Sequence, residues 1–166
     1  MQKNANHSLD YILYYSILWV LEERKNTHME SKFEYYSRLE DEIIRTYREA
    51  KDEETRNAAR MLMKEHKNKM FEWETLDFYE VYQAYREATE DGNEFLNFDS
   101  VFNSEKVNSY VRIMKENGIK HFTYSSTWTN SIRCVWDFEQ AGAQLEKVTQ
   151  IQYRDKEIPA ILLKID

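Results

Sequence analysis

The stretch that decides the fold is HFTYSSTWTNSIRCVWDFEQAG, His121–Gly142. It opens with period two: Phe122 and Tyr124 fall on one side, His121 and Thr123 on the other, which reads as a strand. It closes with a helical pattern over about 129–141, in which Trp128, Ile132, Val135 and Phe138 share one stripe. Between them lies a hydroxyl-rich loop, Ser125-Ser126-Thr127-Trp128-Thr129-Asn130. Downstream, Leu145–Tyr153 alternates, RDKE (154–157) makes a turn, and Ile158–Ile165 alternates again. Pro159 stands at the start of that last strand, where a missing N–H is tolerated. The expected order is strand, helix, strand, strand. The first two strands are expected to pair in parallel through a right-handed crossover, and the last two to form an antiparallel hairpin.

Upstream the pattern is helical. Ser8 can cap a helix to about Arg24. A second spans about 30–50, with Phe33, Tyr36, Leu39 or Glu40, Ile43 and Tyr47 at helical spacing. Asp52 can cap a third, to about His66, and a fourth runs from about Asn68 to Thr89 through Phe71, Phe78, Tyr82 and Tyr85. No Gly or Pro separates the third from the fourth. NEFLNFDSVFN reads as a loop, after which Asn103 or Ser104 caps a helix to Asn117. Gly92, Gly118 and Gly142 each follow a helical pattern where a left-handed residue would stop it. The fold class is therefore α+β: long N-terminal helices packed on a small three-stranded mixed C-terminal sheet with one crossover helix. Residues 1–95 form the helical region and 96–166 the β-α-β-β region, in one compact unit.

Composition narrows the field. Three glycines and one proline suit long helices better than a barrel or sandwich. The single cysteine, Cys134, allows no internal disulfide and suits a reducing cytoplasm. The apolar run Tyr11–Leu21 falls well short of the roughly 20 residues of a membrane-spanning helix and has no cleavage site after it. It reads as a buried helix, or as the face of a homodimer.

No metal or cofactor site is expected. His7, His28, His66 and His121 are scattered, His66 among lysines where it would be solvated, and neither HxxxH nor CxxC occurs. A metal-dependent nuclease acting on RNA or DNA could draw on Asp137, Glu146 and Lys147, or on Asp155, Lys156 and Glu157. The second set sits in a turn, where charge is ordinary.

Two features point to a partner. The formal charge is −7, which disfavours direct nucleic-acid binding. It is concentrated over residues 71–100. There Glu72, Glu74, Asp77, Glu80, Glu87, Glu90, Asp91, Glu94 and Asp99 face a single base, Arg86. A helix with an outer row of carboxylates can imitate phosphates and compete for a basic groove on another protein; a solvated helix face is the plainer alternative. The second feature is the loop Ser125, Ser126, Thr127, Trp128 and Asn130. Either Thr127 or Thr129 caps the helix, or the loop contacts a ligand or partner, but it lacks the glycines of a phosphate loop. Trp128 is either core or an interface anchor.

MKENGIKHFTYSSTWTNSIRCVWDFEQAGAQLEKVTQI (114–151), followed by IPAILLKI (158–165), resembles a domain of small proteins encoded by mobile elements of Gram-positive bacteria. Some of those proteins are anti-CRISPR inhibitors of Cas9. The resemblance covers about the last third of the chain and rests on the order NG, strand, SS, helix, G, strand, strand. It implies a cytoplasmic inhibitor that binds a Cas9 nuclease or its guide-RNA assembly. Some such inhibitors promote guide-RNA cleavage, a step the residues here do not support, so a non-enzymatic inhibitor is expected, with a nuclease acting on guide RNA or DNA as the alternative. Cas9 holds nucleic acid in a positively charged channel, which suits the acidic segment.

Overall fold

The computed structural model describes residues 30–99, 104–126 and 131–166. The expected helix at 8–24 with its Tyr11–Leu21 run, the Asn103 cap, and loop residues Thr127, Trp128 and Asn130 lie outside the described residues. The chain divides into two compact units, one ending at Trp73 and the other spanning Glu74–Asp166.

In the first unit, Ser31 and Glu34 form a reciprocal cap. Glu34 N–H donates to Ser31 Oγ (3.2 Å), and Ser31 N–H donates to Glu34 Oε2 (2.9 Å). They start α1, Lys32–Glu49, which buries Phe33, Tyr36, Leu39, Glu40 and Ile43 as their spacing predicts. Tyr47, last on that stripe, is instead exposed, with the Arg60 guanidinium 5.2 Å from its ring centre. Asp52 Oδ1 accepts from Thr55 N–H (2.7 Å) ahead of α2, Glu53–Trp73.

Three sequence expectations are corrected here. The third helix does not stop near His66 but continues to Trp73, because nothing between them breaks it. The break comes at Thr75, whose Oγ1 accepts from Phe78 N–H (3.2 Å) and starts α3, Leu76–Glu90. Phe71, expected on the Phe78 stripe, is exposed on α2. His66 is not solvated: its Nε2 lies 3.5 Å from Glu40 Oε1, both side chains buried, with the Tyr36 ring edge-on at 5.7 Å. It falls seven residues after buried Ala59, on the same face of α2.

In the second unit, α3 ends in a Schellman motif at Gly92 (φ 72°), with Asn93 N–H donating to Ala88 O (2.8 Å) and Gly92 N–H to Thr89 O (3.2 Å). There follow β1 (Asn97–Phe98), a 3₁₀ turn (Ser104–Lys106), α4 (Val107–Glu116), β2 (His121–Tyr124), α5 (Ser131–Gln140), β3 (Ala143–Tyr153) and β4 (Lys156–Ile165). Gly118 and Gly142 end α4 and α5 at positive φ, as expected.

The class is α+β, with the helices first and the sheet C-terminal. The sheet has four strands rather than three, in the order β1-β2-β4-β3. β1 was read as loop because two residues carry no period. It exists through non-local bonds, Thr123 N–H to Leu96 O (2.8 Å) and Ser125 N–H to Phe98 O (3.0 Å). β2 and β3 are parallel but not neighbours, since β4 lies between them and pairs antiparallel with both. A split β-α-β results. β4 is an inner strand, and its adjacent residues Leu162 and Leu163 are both buried, so both sheet faces are covered there.

One face carries an aromatic core. Phe138 of α5 sits 4.7 Å from Phe122 and 5.8 Å from Phe98, and Phe98 stacks on Tyr110 of α4 at 5.4 Å. Ile132, expected on the Phe138 stripe, is 86% exposed. Cys134 takes that place, because the buried arc of α5 centres on 134, 135 and 138. Asn93 closes part of the outer edge of β3. Its side chain donates to Gln152 O (2.7 Å) and accepts from Gln152 N–H (2.9 Å), as a neighbouring strand would.

Candidate functional site

The nine carboxylates of residues 71–100 are spread over several elements. Glu72 is exposed on α2, in the first unit, whereas Asp77, Glu80, Glu87 and Glu90 lie on α3. Asp91 caps α3, and Asp99 follows β1.

The acids of α3 split into two environments. At its N-terminal end, Glu80 accepts twice from Lys106 Nζ (2.8 and 2.9 Å) and once from the Tyr110 hydroxyl. Asp77 adds a contact to Lys106 at 3.5 Å. Lys106 is held above its ordinary pKa, first by the Glu80 hydrogen bond. The Tyr110 phenol is pushed up, first by burial and then by the bond to Glu80. Asp77 and Glu80 are thus matched within the unit, tying α3 to the start of α4. Neither Lys106 nor Tyr110 was singled out in the sequence. The signal would have been a base and a phenol four residues apart, both at the start of the next helix.

At the C-terminal end the balance is reversed. Glu87 is raised above its ordinary carboxylate range by burial, then by the charges of Asp99, Asp91 and Glu90. A helix C-terminus adds partial negative charge, and no basic residue occupies the last turn. The nearby base, Arg86, is buried and reaches Glu90 at 3.5 Å. Tyr153 is raised chiefly by its hydrogen bond to Asp99, which brings the β3–β4 hairpin to this acidic end.

The serine loop ties elements together. Ser125 is buried and its Oγ accepts from Asn97 Nδ2 (2.9 Å), which holds β2 to β1. Ser131 Oγ donates to Ser126 O (2.7 Å), closing the loop onto the first residue of α5. The Tyr124 phenol is pushed up to about 12, by burial first and then by its bond to Cys134. Ser125 therefore ties β2 to β1, and Ser126 holds the start of α5 through its carbonyl; the expected caps, Thr127 and Thr129, lie outside the described residues, and Asn97 and Ser131 are the partners that sequence reasoning missed.

The residues weighed for nuclease chemistry are dispersed. Asp137 on α5 lies 4.0 Å from Arg133, Glu146 faces His121 at 3.6 Å, and Asp155 stands in the hairpin turn. Among the described residues no group of three or more His, Cys, Asp or Glu could hold a metal ion. No helix among them is long and apolar enough to cross a membrane.

The second unit is thus a split β-α-β sheet with an acidic end. Residues 80–164 match a family model, and the chain belongs to the family of the domain of unknown function DUF7698. The match starts within α3 and ends in β4, so it takes in all four strands and leaves α1 and α2 outside. Comparison with curated proteins and with solved structures gave no match.

Proposed function

We propose that this chain is a non-enzymatic inhibitor that binds another protein through the acidic C-terminal end of α3, in the bacterial cytoplasm. The partner we propose is a Cas9 nuclease or its guide-RNA assembly, which the sequence resemblance implies. One observation carries the reading: Glu87 is raised by its neighbours Asp99, Asp91 and Glu90, after burial, so the cluster is incompletely neutralised within the chain. Lysines and arginines lining a nucleic-acid groove would relieve that repulsion, and the acids would gain the attraction that phosphates gain. Asp77 and Glu80, expected at the same surface, are engaged by Lys106 and are assigned a structural role instead.

The test is a Cas9 DNA-cleavage assay with the protein added before or after guide RNA, and the guide run on a denaturing gel. The expected result is inhibition with intact guide, weakened by salt and lost in the triple variant Glu87→Gln, Glu90→Gln, Asp91→Asn. Unchanged inhibition by that variant, or none by the parent across a panel of Cas9 proteins, would refute the proposal. A shortened guide would replace it with the nuclease reading.

A further inference from the structure

Among the described residues β3 is an outer strand of the sheet, and its outward edge is patterned. Ile165 N–H donates toward the β2 side, to Lys120 O (2.8 Å). At the other end, Gln152 turns both backbone groups away from β4, to Asn93. Alternation between these anchors assigns the rest. Ala143, Leu145, Val148 and Gln150, opposite Ile165, Leu163, Ile161 and Pro159, turn N–H and C=O outward. Simple alternation would put Leu145 and Val148 on opposite faces. The register shift at Glu146 puts both on the face of Phe122 and Tyr124. They stand there 50% and 76% exposed.

We propose that this edge pairs with β3 of a second copy of the chain, antiparallel, about a twofold axis between Glu146 and Lys147. In that register Glu146 faces Lys147 of the other copy and Leu145 faces Val148, each twice by symmetry. Ala143 faces Gln150, and outward residues meet outward residues along the strand. A slip of two residues in either direction opposes Val148 to Lys147 or Leu145 to Glu146, so the Leu145–Val148 pairs and the Glu146–Lys147 pairs about the axis are lost. Asn93 occupies the edge at Gln152, which confines pairing to residues 143–150. Charge complementarity, apolar complementarity and the register shift therefore select one occupant and one alignment. The surface differs from both the acidic end and the Tyr11–Leu21 run.

The test is sedimentation equilibrium of the full chain over a range of micromolar concentrations. The parent should show twice the chain mass. Glu146→Lys and Lys147→Glu each place like charges across the axis, and each should raise the dimer dissociation constant about tenfold or more. The double exchange, which restores opposite charges, should recover the dimer. Val148→Pro removes an N–H that points away from β4, so it should give a monomer with unchanged circular dichroism. A monomeric parent, a dimer that survives Val148→Pro, or a double exchange that fails to recover would each overturn the proposal.

Discussion

Glu80→Ala tests whether the acids of α3 divide into structural and available groups. The substitution removes the acceptor of the Tyr110 hydroxyl and two of the contacts to Lys106. Tyr110 is only 3% exposed, so its donor is left without water to replace the carboxylate. An orphaned buried donor costs about 1–3 kcal/mol. Lys106 still has Asp77 at 3.5 Å and reaches solvent, so the Tyr110 contribution dominates. A loss of about 2 kcal/mol corresponds to a fall in melting temperature of about 4–8 °C for a chain of this size. Urea denaturation of Glu80→Ala, Tyr110→Phe and the double variant completes a double-mutant cycle. Once the hydroxyl is gone, removing its acceptor should cost much less, leaving a coupling energy of about 1–2 kcal/mol. A loss below about 0.5 kcal/mol for Glu80→Ala, the scale of an ordinary surface change, would refute the assignment. It would return Glu80 to the pool of partner-facing acids.

Glu87→Gln should act in the opposite direction. The folded-state pKa of Glu87 is raised, so its charge opposes folding at neutral pH, and the opposition fades as pH falls through that value toward 4.5. Melting temperatures across pH should show the variant more stable at pH 7, on the order of 0.3 kcal/mol, with the difference closing in acid. Asn93→Ala should cost about 1–2 kcal/mol for two lost hydrogen bonds, with faster amide exchange at Gln152 as its local signature. Gly118 has φ 73° and open space where a Cβ would stand, so Gly118→Ala should cost about 1 kcal/mol of backbone strain alone, read by thermal unfolding.

The candidate surface was legible in composition but not in arrangement. Nine acids against Arg86 marked residues 71–100 as unusual. Which of them are neutralised depends on Lys106 and Tyr110, brought to Glu80 from residues 26 and 30 positions away. Ser125 and Ser126 were legible as members of a hydroxyl-rich loop. Asn97, the partner of Ser125, was not, because it acts across a strand pair.

The sequence by itself determined the elements whose signals are local: the periods of α1, α3, β2 and β4, the cap at Asp52, and the stops at Gly92, Gly118 and Gly142. These follow from hydrogen bonds and steric limits within a few residues. Tertiary structure decided the rest. It made a strand of Asn97–Phe98 and placed β4 between β2 and β3. It exposed Ile132 and buried His66 against Glu40. Each outcome turns on which surfaces meet, and periodicity names the face of an element without naming its partner.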